Sequence, residues 1–152
     1  MASPPEHAEC SAGAYIAAML TWDPRWLGVQ RRAVKGFVGL AGPYDFLPLD
    51  GPVSTAAFGQ EREPAPTQPI RFASSDDPPT LLPHGAWDTP VFPRSSHRLQ
   101  ASLVRAGVDA RIQIYPDLKY VGILTSIARP SGGRAPVLDD LARFAAGVSK
   151  RR

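Results

Sequence analysis

Three short apolar runs, each with helical sequence after it, limit the fold of this chain more than any other feature. Val34 to Leu40 is mostly apolar and ends in Ala41-Gly42-Pro43, the pattern of a buried strand. A second strand is expected at Thr80–His84. Asp109 to Tyr115 sets Ala110, Ile112 and Ile114 against Arg111, Gln113 and Tyr115, a strand with one face buried. Helices are expected upstream at Ala12–Leu20 and between the strands at Arg94–Ala106. The second of these puts Leu99, Leu103 and Ala106 on one face, with Gly107 as its stop. A last helix begins at Pro136, with Asp139 and Asp140 near its positive end and Val137, Leu141, Phe144 and Val148 as its apolar stripe. Thr21–Arg32 reads as a loop whose Trp22 and Trp26 cap a core edge. Leu47–Pro69 reads as Pro- and Gly-rich loops around one short helix at Ser54–Phe58. Strands alternating with helices argue for an α/β fold with about three parallel strands and flanking helices.

The chain has 152 residues, enough for one domain with a real core. The expected division is a disordered segment at 1–9, a folded domain at 10–148 and a basic tail at 149–152. A net charge of +3, with short clusters at Arg31-Arg32 and Lys150-Arg151-Arg152 and no interleaved aromatics, gives no basis for nucleic-acid binding. No apolar run approaches the length of about 20 residues that spans a bilayer, so no membrane association is expected. The single cysteine, Cys10, forms no internal disulfide, and the first residues carry no signal-peptide pattern. A cytoplasmic location follows as the expectation. No cofactor or metal site is expected.

Chemistry-bearing residues fall at three places. In Glu9-Cys10-Ser11-Ala12-Gly13 a serine lies between small residues and a run of helix formers follows. A nucleophile carried at a sharp turn into a helix has this pattern, with the Ala12 N–H as an oxyanion donor, and an ordinary helix N-cap has it too. After the Thr80 strand comes His84-Gly85-Ala86-Trp87-Asp88. A carboxylate one short loop beyond a strand's carboxyl end is where open α/β sheets place functional groups, although Asp88 alone also suits a turn. Tyr115-Pro116-Asp117-Leu118-Lys119-Tyr120 follows the third strand and opens a helix, and holds no histidine.

Taken in order, Ser11-Ala12-Gly13-Ala14-Tyr15, then Gly39-Leu40-Ala41-Gly42-Pro43-Tyr44-Asp45, His84-Gly85-x-x-Asp88-x-x-Val91 and Tyr115-Pro116, the chain resembles the C-terminal half of α/β-hydrolase esterases. The similarity is to the carboxylesterase/lipase branch with its feruloyl-esterase-like and arylformamidase-like enzymes, from about residue 10 to 148. The resemblance implies an incomplete α/β-hydrolase fold and hydrolysis of a small ester by a Ser–Asp–His triad. Ser11 would be the nucleophile, Asp88 the acid orienting the base, and the Ala12 N–H one oxyanion donor.

Two departures weaken that machinery. Glu9 replaces a glycine of the family's turn, and Tyr120 stands where the family has its catalytic histidine. A tyrosine phenol, with an ordinary pKa of about 10, is a feeble base at neutral pH. The family's second oxyanion donor comes from a Gly-rich loop upstream of the serine, which this sequence does not contain, nor does Ser3 to Glu9 read as the strand that should lead into the serine. His7, His84 and His97 suit surface or structural roles, His84 within the Asp88 loop. Pro83 removes a ladder donor from its strand. The expectation is a carboxylic ester hydrolase by lineage with weak or absent turnover. The alternative is a non-catalytic remnant, or half of a two-chain enzyme, with self-association or a second chain at an open sheet edge.

Overall fold

The computed structural model describes residues 8–127 and 136–150. Nine labelled elements follow one another: α1 (Ala8–Trp22), α2 (Pro24–Leu27), β1 (Phe37–Val38), α3 (Pro52–Phe58), β2 (Thr80–Gly85), α4 (Arg94–Arg105), β3 (Ala110–Tyr115), α5 (Tyr120–Thr125) and α6 (Val137–Ser149). The three strands form one parallel sheet in the order β1-β2-β3, as the alternating pattern requires.

β2 is the central strand, and all six of its residues are buried. A strand covered on both faces has no solvent side to mark with polar residues, hence its unbroken run Leu81-Leu82-Pro83. On one face Leu82 joins Phe37, Leu99 and Leu103 of α4, Ala18 and Trp22 of α1, and Tyr44. On the other face α6 packs, with Phe144 and Val148 close against Gly36. A second cluster beyond the strands' carboxyl ends gathers Ala41, Val91, Tyr115, Leu118, Tyr120, Ile123 and Val137.

Several boundaries differ from the sequence expectation. Among the described residues α1 already includes Ala8 to Ser11, upstream of the expected start at Ala12, and Ala8, Glu9 and Cys10 are compatible with helix. Thr21–Arg32 is not a loop. α1 runs through Trp22, and Asp23 then caps α2 by accepting the Arg25 amide at 3.0 Å, with Pro24 at the first helical position. A 3-10 turn at Gly28–Ala33 completes the stretch. Trp22 is core, whereas Trp26 is exposed.

β1 is shorter than Val34–Leu40 for a reason that lies in its neighbour. The amides of Phe37, Gly39 and Ala41 donate to the carbonyls of Pro79, Leu81 and Pro83. In this register the next return bond would run from residue 83 to the Gly39 carbonyl, and Pro83 has no N–H to give. Regular pairing therefore stops at Val38, although the Ala41 bond carries the chain on alongside β2.

α4 ends as its sequence predicts. Gly107 has φ +90°, its N–H bonds the Val104 carbonyl, and the Val108 N–H bonds that of Leu103. Gly107→Ala forces a side chain into that left-handed conformation and is expected to cost about 1 kcal/mol in urea unfolding. An unchanged midpoint would contradict this account.

Candidate active site

The loop after β2 is built around two fully enclosed polar residues. His84 is 0% and Asp88 2% exposed. His84 Nδ1 lies 2.8 Å from Ser96 Oγ, and Nε2 lies 2.8 Å from the Val91 carbonyl. A carbonyl can only accept, so Nε2 carries a proton directed at Val91, and Nδ1 shares a second hydrogen bond with the Ser96 hydroxyl. Asp88 Oδ1 accepts the Val91 amide at 2.8 Å. Its Oδ2 stands 3.3 Å from His84 Nε2, whose proton is directed to the shorter Val91 contact. That Oδ2 has no hydrogen-bond partner among the described residues.

Gly85 makes the loop's entry possible. A Cβ there would lie 2.5 Å from the Leu118 carbonyl oxygen, which accepts the Trp87 amide at 3.1 Å, while the Ala86 amide donates to Tyr115 at 3.0 Å. The loops that follow β2 and β3 are thus laced together through their backbones. Val91 joins them a second time: its side chain packs in the cluster that holds Tyr120.

Tyr120 is the first residue of α5 and is buried in that cluster. The structure therefore brings the Asp88 loop and the Tyr120 helix to the same end of the sheet. His97 is exposed on α4, and Lys119 is exposed as well; His7 lies outside the described residues. Trp87 is exposed and lines no core.

Ser11 is the fourth residue of α1, and its side chain lies outside the described ones. It does not stand at a turn entering a helix, since the helix has already begun at Ala8. The first four amides of a helix have no intrahelical acceptor. With Ala8 first, Ala12 falls beyond them, so its amide belongs to the helical ladder and the expected oxyanion donor is not free in this arrangement.

Serines that the sequence reading missed hold the site's surroundings. Ser95 Oγ accepts the amides of Tyr44 at 2.6 Å and Asp45 at 3.0 Å, tying the segment after β1 to the start of α4. Ser95 and Ser96 stand in the first turn of a helix, where serine usually signals a cap, and nothing in their spacing marks them as inward-facing. Tyr115 anchors α6 by donating to Asp140 Oδ2 at 2.7 Å. Burial, and then that carboxylate, push the phenol above its ordinary range. A cavity of about 280 Å³ lies between α6 and the beginnings of β2 and β3, lined in part by Leu81, Arg111 and Phe144. It is at the other end of β2 from Asp88. Among the described residues no group of three or more His, Cys, Asp or Glu could hold a metal ion, and no helix is long and apolar enough to cross a membrane.

No protein-family model matches the chain, and no curated protein sequence does. Solved structures do match in fold. A thermophilic esterase from the planctomycete Thermogutta terrifontis superposes with a TM-score of 0.64 at 14% identity, over 90% of this chain and 52% of its own. A sugar hydrolase from Lactococcus lactis gives 0.63 at 20% identity, over 92% and 54%. A truncated form of a carbohydrate esterase from gut microbiota gives 0.62 at 23% identity, over 78% and 44%. The chain spans about half the length of these structures, and the likeness is one of fold.

Proposed function

The chain carries part of an α/β-hydrolase fold, and from that premise we propose that it is a carboxylic ester hydrolase by descent whose own turnover is weak because the base is missing. Ser11 is the nucleophile, Asp88 the orienting acid, and Tyr120 occupies the place of the base. The observation that carries this reading is the Asp88 carboxylate. One oxygen is spent on the Val91 amide, while the other is buried and has no hydrogen-bond partner among the described residues. A buried carboxylate oxygen costs free energy unless it is paired. Its nearest polar neighbour, His84 Nε2, stands 3.3 Å away, and an acid that orients an imidazole presents an oxygen in this way. Serine without such an imidazole is a poor nucleophile at neutral pH.

The test is hydrolysis of a short-chain aryl ester by the parent chain, by Tyr120→His, and by Tyr120→His combined with Ser11→Ala. The parent should run close to background. Restoring the base is expected to raise the rate by about 10²-fold or more, the usual contribution of general-base catalysis, and the added Ser11→Ala should abolish the gain. A folded Tyr120→His variant with no gain would overturn the reading.

A non-catalytic role is the second reading, favoured by α1 itself. A serine inside a helix, with the following amide in the helical ladder, is poorly placed to stabilise an oxyanion. Parent and histidine variant would then both stay at background.

A further inference from the structure

Three half-buried aromatic rings pack on one another and belong to neither core cluster: Tyr15 of α1, Phe46 after β1 and Phe58 at the end of α3. The Tyr15 ring meets that of Phe46 at 5.9 Å and that of Phe58 at 5.6 Å, both edge-on, and Phe46 lies 5.5 Å from Phe58. The backbone under Phe46 is held firmly for a surface loop. Its amide donates at 2.7 Å to Gln68 Oε1, on a side chain that is fully buried, and the Tyr44 carbonyl accepts the Ile70 amide at 3.1 Å. α3, by contrast, buries no residue of its own and meets the other two rings through Phe58. Phe46 follows β1 as Asp88 follows β2 and Tyr120 follows β3, so all three stand beyond the strands' carboxyl ends, where open α/β sheets take their ligands. Positions 11 and 15 are one turn apart on the same stripe of α1. A helical side chain covers the turn before its own Cα, and for Tyr15 that turn carries Ser11.

We propose that Tyr15, Phe46 and Phe58 form the subsite that receives the uncharged apolar group of the ester, an aryl or arylalkyl substituent. The inference rests on the ester-hydrolase reading and adds a substrate class to it. Rings held edge-on to one another present both faces and edges, the complement of a further ring. Small-molecule sites are walled in this way, by aromatic side chains on a scaffold already in place. Charge decides against an acidic substituent. The two ionised groups that act on Tyr15, Asp23 and Arg25, close on each other at 2.6 Å. Asp45, beside Phe46, is likewise held by Arg98 at 2.9 Å. An anion therefore finds no unpaired cation at these rings among the described residues. Burial, and then the Asp23 carboxylate, push the Tyr15 phenol above its ordinary range, so this ring stays neutral near neutral pH.

The test is an NMR titration of the full chain with benzylacetone, the ketone isostere of benzyl acetate, which can bind but cannot be hydrolysed. The ring signals of Tyr15, Phe46 and Phe58 should shift together, and butanone at the same concentration should leave them in place. Phe58→Ala should weaken binding about fivefold or more, the usual worth of aromatic contacts. Tyr15→Leu should do the same. Val104→Ala, at an exposed position of α4, should change nothing. Circular dichroism checks that each variant folds. Phe58 lies on a helix that buries nothing, so if Tyr15→Leu does not fold, Phe58→Ala decides alone. Rings that do not respond overturn the proposal, as does equal binding by Phe58→Ala and Val104→Ala. Hydrolysis of benzyl acetate by Tyr120→His separates the subsite from the reading it rests on. Ring shifts without turnover sink the hydrolase reading and leave the subsite standing as an apolar ligand site. Turnover without ring shifts overturns the subsite alone.

Discussion

Trp22→Ala is expected to be among the most destabilising single changes in this chain, at about 3–5 kcal/mol. Trp22 is 1% exposed and joins the two faces of its cluster. Its ring lies 4.7 Å from that of Phe37 and 6.1 Å from that of Tyr44. Removing it opens a cavity between α1 and β1 that neither neighbour can fill, since Tyr44 is pinned through its amide by Ser95 and Phe37 by the sheet. With stabilities of small domains typically about 5–15 kcal/mol, a loss of this size moves the urea midpoint far toward water or abolishes the cooperative transition. Trp22→Phe should cost much less, because the indole N–H has no partner among the described residues and its removal strands nothing. Equal losses in the two variants would show that ring packing is not what Trp22 supplies.

His84→Ala is expected to match that loss by a different route. The imidazole is fully enclosed and bonded at both nitrogens. Deleting it leaves a cavity, strips the Ser96 hydroxyl and the Val91 carbonyl of a partner, and removes the nearest polar hydrogen from Asp88 Oδ2. Each stranded buried group costs about 1–3 kcal/mol, and the cavity adds to it. The total is about 3–5 kcal/mol, read as a fall in the urea midpoint. His84→Gln, which can keep one bond, should recover part of it. A His84→Ala protein as stable as the parent would show that the loop is held by its backbone bonds alone.

Much of the architecture was legible because each element announced itself locally. β2, α4 with its Gly107 stop, β3 and the Pro136 start of α6 follow directly from apolar period and terminal residues. The misread parts are those whose cause lies elsewhere in the chain. The two-residue length of β1 is set by Pro83, more than forty positions away, and only the register reveals the link. The helical character of Ala8 and Glu9 is hidden in the sequence because they adjoin a polar, proline-bearing stretch. At the site, Asp88 could be singled out from its place one short loop beyond a strand, and Tyr120 only through the family resemblance, but the inward-facing Ser95 and Ser96 could not. Their hydroxyls act on Tyr44 and His84, partners that become neighbours only once β1, β2 and α4 have assembled.

The Asp88 loop has a bearing on how such a chain ages. Its carboxylate closes the turn through the Val91 amide, and Val91 in turn engages His84, so Asp88 is held by the same bonds that hold the fold. A lineage released from any need for turnover would still lose stability with every change at Asp88, His84 or Gly85. At Ser11, inside α1, alanine is the better helix former, so the helical backbone resists no such replacement. Random substitution would then reach Ser11 long before Asp88, and a residue that suggests catalysis would persist for reasons of stability alone.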